Sequence, residues 1–407
     1  RPGHLDPANA SAVIRSISLA VDYVRKGQAG ALVTNPIHKA VLAIRSGQTS
    51  LAIVGGVNTL VAPELQVMFS KAGMLCVDGR CKTFSKHADG YVRGEGVGIL
   101  LLKKLSQAER DGDHIYGVIR GTAQNHGGRA NSLTAPNPQA QAELIKAAFK
   151  QAGVEPKTVN YIEAHGTGTP LGDPVEFQGL KNAFAGLSEQ ALPEGYCGIG
   201  SVKTNIGHLE LAAGVAGVIK VLLQMKHRTL VKSLHAQEIS PYIDLKGSPF
   251  YVVQETRPWE ALKDEAGQEL PRRAGVSSFG FGGVNAHVVI EEYVKPQAIK
   301  AIGSRPVVVV LSAKSEDRLK EQVSNLLQAL DDKNDADLDD IAYTLQVGRE
   351  AMEVRFACVV GDLQSLKSKL HAYASGQAVD DLYKGEVKRN KEALAVLSAE
   401  QQATWKE

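Results

Sequence analysis

Two histidines in glycine-flanked strings are the residues of this chain best placed to do chemistry. His165 lies in Glu163-Ala-His-Gly-Thr-Gly-Thr-Pro-Leu-Gly-Asp-Pro, and His208 lies in Lys203-Thr-Asn-Ile-Gly-His-Leu-Glu. An apolar run at Val159–Ile162 reads as a buried strand ahead of His165, and Asp173-Pro174-Val175-Glu176 reads as a helix start. There Asp173 would cap, Pro174 would take the first position and Glu176 would complete a capping box. His165 then sits on a loop between strand and helix, a usual place for catalytic groups, with Thr167 and Thr169 offering hydroxyls along a groove. The competing reading is a loop histidine that only satisfies local hydrogen bonds.

His208 is expected to open an apolar helix running to Lys226, after a strand ending at Val202 and a turn over Lys203–Gly207. A helix N-terminus disfavours imidazolium, and a neutral imidazole can donate a hydrogen bond to a developing enolate or oxyanion. Lys203, expected to be partly buried, needs a carboxylate such as Glu176 or Asp173 to offset its desolvation. A third glycine-rich stretch carries Phe279, Gly280, Phe281, Gly282 and Gly283. A strand rather than a helix follows it, so it does not fit a dinucleotide fingerprint. An apolar gate whose backbone N–H groups face a substrate carbonyl fits better, with a plain glycine-rich bend as the alternative.

Alternating strands and helices must position these groups. Apolar runs at Leu51–Val54, Val97–Leu102 and Val288–Ile290 read as strands, and Ala140–Ala152 as an amphipathic helix. Near the start, Val13, Ile14, Ile17, Val21 and Val24 recur at helical spacing before a strand at Ala31–Val33. The segment from Ala20 to Gln28 is echoed twenty residues on, from Ala40 to Gln48. Either α/β units simply repeat, or two unrelated sequences meet near Ala40–Val41. After Tyr293 a polar linker (294–305) leads to a smaller α/β unit, with strands at Val307–Leu311 and Arg355–Val360 and helices at Ser315–Leu330 and Leu363–Ala374. The tail from Asp380 to Glu407 reads as polar, helical or loose.

The 407 residues suffice for two or three domains, and a net charge of +2 argues for neither nucleic acid nor a charged membrane surface. The uncharged apolar stretches Leu51–Pro63 and Leu211–Ile219 fall short of the roughly 18 apolar residues of a spanning helix. The chain opens at Arg1 with no signal peptide, which suggests a fragment or a processed product. Four cysteines (Cys76, Cys81, Cys197, Cys358) make a disulfide framework unexpected and a reducing cytoplasm the default. Cys76 and Cys81 lack a second pair, so no metal site is expected.

With Asp89-Gly-Tyr-Val-Arg-Gly-Glu-Gly96 and Asn125-His-Gly-Gly-Arg-Ala-Asn-Ser-Leu-Thr-Ala-Pro-Asn137, these strings resemble the β-ketoacyl synthases of modular polyketide synthases, in the branch whose acyltransferase acts in trans. The resemblance covers residues 41–293, with a flanking subdomain over 306–375 and a tail over 376–407. It implies an α/β, thiolase-like αβαβα sandwich, here the C-terminal half plus part of the N-terminal half. It implies an acyltransferase-class enzyme that condenses acyl and malonyl thioesters with loss of CO2. His165 and His208 would be the catalytic histidines and Lys203 would hold their loop. Thr167, Thr169, Phe281, Gly282 and Asn205 would line the substrate channel, supported by Asp173 and Glu176. No cofactor would bind directly. Substrates would ride on the phosphopantetheine of an acyl carrier protein, and the parent enzyme would be a cytoplasmic homodimer.

One part of the pattern has no counterpart. Such enzymes carry a cysteine nucleophile at the start of the helix ending in the Ile44-Arg-Ser-Gly47 turn, where Asn35-Pro-Ile-His-Lys39 stands here. No cysteine precedes Cys76. The chain is therefore expected to be inactive alone, or to serve as a carrier-protein-binding or dimerisation module. Residues 1–40 resemble instead the 4-hydroxythreonine-4-phosphate dehydrogenases, through Gly3-His-Leu-Asp-Pro-Ala-Asn9 and Ala31-Leu-Val-Thr-Asn-Pro-Ile-His-Lys39. That family's metal-ligand histidines have no counterpart here.

Overall fold

The structure, a computed structural model, describes residues 36–128, 136–280, 282–295, 306–331 and 337–387. The chain divides into two compact units, Arg1–Lys295 and Pro296–Glu407. The expected helix from Val13 to Val24 and strand at Ala31–Val33 lie outside the described residues.

In the first unit, α1 (Pro36–Arg45), β1 (Leu51–Asn58), α2 (Glu64–Lys71), β2 (Gly96–Lys103), α3 (Leu105–Arg110) and β3 (Val118–His126) come first. They are followed by α4 (Pro138–Ala152), β4 (Tyr161–Glu163), α5 (Gly172–Leu187), β5 (Cys197–Gly200), α6 (Lys203–Ile206) and α7 (Ala213–His227). Last come β6 (Thr229–Leu230), β7 (Phe250–Val252), β8 (Arg257–Pro258), β9 (Arg273–Phe279) and β10 (Val284–Glu291). Helix α1 runs through the junction expected near Ala40.

Six strands form one sheet in the order β3-β10-β9-β4-β5-β7. Strands β9, β4, β5 and β7 are parallel, while β10 runs antiparallel to both of its neighbours. Side chains that alternate along a strand belong to different cores, which makes the unit three-layered. Ile162 and Val289 pack with Leu144, Ile145 and Phe149 of α4 and Phe177 and Leu180 of α5. Tyr161, Val288 and Ile290 pack instead with Val218, Val221 and Met225 of α7. Helix α4 shows why such segments fold locally: Asn137 accepts the N–H groups of Gln139 and Ala140, Pro138 takes the first turn, and Gly153 closes the helix at φ +62°.

Strands β1 and β2 pair antiparallel from Leu51↔Lys103 to Asn58↔Gly96. Ala52 and Val54 turn inward to pack with Ala40 of α1. The opposite face is apolar and open: Ile53, Val57, Val97, Ile99 and Leu101 are all more than half exposed.

The helix expected over His208–Lys226 starts later, at Ala213, and is not buried all round. Leu223 is exposed, and a cavity of about 520 Å³ runs beside α7, lined among others by Val97, Ile206, Leu209, Ala216 and Ile219.

The second unit contains β11 (Val307–Ala313), α8 (Glu316–Asp331), α9 (Leu338–Val347), β12 (Val354–Val360), α10 (Leu363–Ala374) and β13 (Leu382–Glu386). Its sheet is antiparallel in the order β11-β12-β13, covered by Leu319, Val323, Leu327, Leu366 and Leu370. A capping box between Asp362 and Ser365 starts α10. Strand β13 corrects the expectation of a helical or loose tail: Tyr383 and Lys384 pair with Ala357 and Phe356, so the ladder of β12 recruits a segment whose composition is polar.

Candidate active site

His165 follows β4 by two residues, and its loop is held from both sides. The carboxylate of Glu176 accepts two consecutive backbone N–H groups, from His165 (2.7 Å) and Gly166 (2.8 Å). The carboxylate of Asp173 accepts from Phe84 (2.8 Å) and Gly168 (3.1 Å). The expected capping box is therefore absent: α5 has Leu171 at its N-cap with no side-chain cap. Both acids turn back to the loop instead, because its buried N–H groups have no other acceptor and leaving them unpaired is costly. Burial pushes Asp173 up to about 6 and Glu176 up to about 7.

Lys203 is buried with carboxylate charges offsetting its desolvation, as expected, but its hydrogen bond goes elsewhere. Its Nζ donates to the His165 carbonyl at 2.5 Å rather than making a contact ion pair with Asp173 or Glu176. Burial lowers its pKa, and the negative charges of Glu163, Glu176 and Asp173 oppose that shift.

His208 does not open a helix. The four-residue α6 ends at Gly207, whose φ of +75° and ψ of −176° an L side chain rarely adopts. The His208 N–H then donates to Val92 (2.7 Å), and its carbonyl accepts from Gly94 (2.9 Å). One 3₁₀ turn, Glu210–Ala212, intervenes before α7. The α-helix proper starts five residues on, and it is the first N–H of the 3₁₀ turn, that of Glu210, that meets the ring. What keeps it neutral is burial, reinforced by the Lys203 charge, and together they hold its pKa well below the usual value. His165 is likewise held well below by burial, then by Lys203 and His208.

The two rings lie edge to face with centroids 5.4 Å apart. Each Nδ1 accepts a backbone N–H, His165 from Phe279 (3.3 Å) and His208 from Glu210 (2.9 Å). A neutral imidazole accepting at Nδ1 carries its proton on Nε2, so both rings are Nε2–H donors. Phe279 packs 5.6 Å from the His165 ring, and Tyr91 packs 5.1 Å from that of His208.

Sequence reasoning missed the clamp behind His208. The Arg93 guanidinium grips both Glu210 oxygens (2.5 and 3.0 Å) and fixes the residue whose N–H orients the ring. Glu210 itself adopts a left-handed φ of +44°. Arg93 lies in the string that carried the family resemblance, but nothing local shows its partner, 117 positions away.

The remaining site residues distribute as follows. Thr167 and Thr169 share the His165 loop with hydroxyls 3.2 Å apart, and Thr169 also accepts from Gly172 (3.1 Å). Asn205 is exposed on α6, its amide oxygen accepting from Thr204 (3.2 Å). Gly280, Gly282 and Gly283 form the turn of a β9–β10 hairpin. The N–H groups of Gly280 and Gly283 are used within that turn and the Gly282 carbonyl accepts from His126, so Gly280 and Gly283 do not point N–H groups at a substrate as expected. Phe281 lies outside the described residues.

No cysteine with a resolved shift has a lowered pKa. Burial drives Cys197 well up, and takes Cys81 and Cys358 to about 11. Cys76 is half-buried and its Sγ accepts from Arg80. Among the described residues, no His, Cys, Asp or Glu cluster could hold a metal ion, and no helix is long and apolar enough to cross a membrane.

A layered mixed sheet that brings two such histidines together on the loops leaving β4 and β5 has the thiolase-like condensing-enzyme fold. Comparison with known proteins narrows the class. Residues 29–108 match the N-terminal domain of beta-ketoacyl synthase, 116–237 its C-terminal domain, and 310–377 a RhiE-like, KS-MAT linker domain. The chain belongs to the β-ketoacyl synthase family, as a ketosynthase of the trans-acyltransferase polyketide synthase type. The first of these matches begins inside the segment that resembles a dehydrogenase.

The chain is 56% identical over 378 residues to polyketide synthase PksN of Bacillus subtilis, covering 90% of this chain and 7% of that protein. It is 50% identical over 373 residues to PksL of the same organism, covering 90% and 8%. Among solved structures, the ketosynthase from module 6 of the bacillaene synthase of Bacillus subtilis 168 superposes with a TM-score of 0.75 at 40% identity, covering 90% of this chain and 63% of that one. The Streptomyces albus oxazolomycin ketosynthase domain OzmH KS7 gives 0.74 at 42%, covering 86% and 60%. The chain thus spans less than two thirds of these two ketosynthases and under a tenth of these two synthases.

Proposed function

We propose that this site binds the carbonyl of a thioester carried on the phosphopantetheine of an acyl carrier protein, and that it belongs to the machinery of decarboxylative Claisen condensation. The observation that carries this reading is that His165 and His208, with rings 5.4 Å apart, each accept a backbone N–H at Nδ1, which assigns the proton of each neutral ring to Nε2. In the full reaction a thiolate takes an acyl group from the carrier and releases the pantetheine thiol. A malonyl thioester then loses CO2, and the enolate left behind attacks the acyl carbonyl and expels the thiolate. Donors fixed in a water-poor site stabilise the enolate oxygen without reorganising, which is where most of the rate would come from. Lys203, Glu176 and Asp173 hold the histidine loop, and Thr167 and Thr169 line the approach, with Asn205 and Gly282 at its rim.

This chain performs the binding and enolate-stabilising part alone and does not form the acyl-enzyme. A nucleophilic cysteine is reactive as thiolate. Burial raises Cys81, Cys197 and Cys358, and Cys76 lies beside neither histidine loop in sequence. The second reading, a carrier-protein-binding or dimerisation module in a cytoplasmic assembly, is favoured by the same raised thiols and by the open apolar face of β1 and β2.

Incubating the chain with an acyl-pantetheine thioester and weighing it by mass spectrometry tests the proposal. No acyl adduct is expected. A stoichiometric adduct on any of the four cysteines would show that the chain carries its own nucleophile.

A further inference from the structure

One buried carboxylate that the site's chemistry does not touch joins the three elements carrying its histidines. Glu163 ends β4, two residues before His165, and is 1% exposed. Its Oε1 accepts the N–H of Val202 at 2.6 Å, on the turn that leads to Lys203 and His208. Its Oε2 accepts from Tyr161 (2.7 Å) and from the Lys220 ammonium (2.7 Å), which also donates to the Tyr161 hydroxyl (2.9 Å). Lys220 is 8% exposed and stands on α7, the helix that follows His208.

A buried ion pair is weak evidence for stability, because desolvation offsets its Coulomb energy; fixing one arrangement among alternatives is its better-attested use. The arrangement here is specific. Helix α7 can bring Lys220 to Glu163 because Gly217 faces the carboxylate side chain one turn earlier. A Cβ at 217 would come within 3.2 Å of both Glu163 Cγ and Val276 Cγ1. All four polar atoms of the cluster, the two carboxylate oxygens, the phenol and the ammonium, have partners.

We infer that Glu163 and Lys220 are positioning residues, a buried ion pair that fixes where the His165 loop stands relative to the His208 loop. The inference deepens the proposed function and rests on it only for its catalytic meaning.

Carbethoxylation by diethyl pyrocarbonate, followed histidine by histidine with peptide mapping on the 407-residue chain, tests it, because the reagent attacks neutral imidazole. In the native protein the His165 and His208 rates should stay flat from pH 7 to pH 5, while that of free N-acetylhistidine in the same solution slows. Native rates that fall at both site histidines as they do for N-acetylhistidine would end the neutral-pair reading and leave the positioning claim to the variants.

In Glu163→Gln, at constant pH, both site rates should change by about fivefold or more, the factor that goes with a modest local free-energy change. His87 and fully buried His287 should not change. Ile145→Ala, a core truncation on α4, should lower the melting temperature without altering the two rates. Lys220→Met, which leaves the carboxylate's bonds to Val202 and Tyr161 in place, gives the same reading if Glu163→Gln does not fold. Site rates that stay at the native value, or that change only together with His287, would overturn the inference.

Discussion

His165 and His208 face each other edge to face at 5.4 Å, and each is oriented by a backbone N–H from a different part of the fold, Phe279 on β9 and Glu210 beyond β5. Two rings with the same tautomer, neither hydrogen-bonded to a carboxylate among the described residues, act as hydrogen-bond donors to one acceptor. Burial and the Lys203 ammonium both work against protonating them. Under the proposed function, the pair meets the negative charge that develops on a ligand.

The acid side of the stability profile should be set by buried neutral histidine. His287, fully buried with Nδ1 on Ser277, is lowered to about 3 by desolvation. Its folded pKa lies below the unfolded value of about 6.5, so its contribution is complete above pH 6.5 and is lost as the pH falls toward 3. Urea unfolding of the native chain should lose stability over that window, and His287→Gln should flatten the slope. An unchanged slope would remove His287 from the account.

Glu176 and Asp173 should act in the opposite sense. Their folded pKa values, about 7 and about 6, lie above the usual carboxylate range, so their contribution is complete in acid and is lost as the pH rises through those values. Glu176→Gln should therefore steepen the loss of stability on acidification between pH 7 and 4.5. It should also cost about 1–3 kcal/mol near pH 5, because one of the two loop N–H groups loses its acceptor. Both follow from chemical denaturation at stepped pH.

Two glycines on α7 should respond differently to alanine. Helix propensity alone favours both changes by up to about 1 kcal/mol. At Gly214 the new Cβ would meet only the Ser278 side chain, at 3.3–3.4 Å, and that hydroxyl can rotate away. At Gly217 it would press on buried Glu163 and Val276. Gly217→Ala should lower stability by about 1–3 kcal/mol through overpacking, with Gly214→Ala near neutral. Equal melting temperatures for the two variants would contradict this.

The open face of β1 and β2 should make the chain self-associate. Ile53 is 68% exposed, and Ile99 64%, beside Val57, Val97 and Leu101. A contiguous apolar sheet face of this kind drives association. Light scattering should show mass rising with concentration, and Ile99→Lys should reduce it without lowering the melting temperature. A concentration-independent monomer would count against this.

Much of the site was legible because its residues are close in sequence. One string holds His165 with Asp173 and Glu176 within about a dozen residues, and a second holds Lys203 with His208. The apolar run of β10 and the helical periods of α4 and α8 were readable for the same reason. What failed depended on distant partners. Asp173-Pro174 reads as a cap locally, yet Asp173 serves Phe84 and Gly168, and Glu176 serves the His165 loop. His208 reads as a helix start, yet Gly207 breaks the helix so that its backbone can bridge to Val92 and Gly94. The Arg93–Glu210 and Glu163–Lys220 pairs span 117 and 57 positions and leave no periodic trace.

The central claim is that both imidazoles grip one thioester. Calorimetric titration with acetyl-pantetheine measures it most directly. His165→Ala and His208→Ala should each weaken binding about fivefold, the loss expected from one hydrogen bond of about 1 kcal/mol, while replacing all four cysteines by alanine leaves it unchanged. Affinity that survives both histidine replacements, or that disappears with the cysteines, would contradict the account.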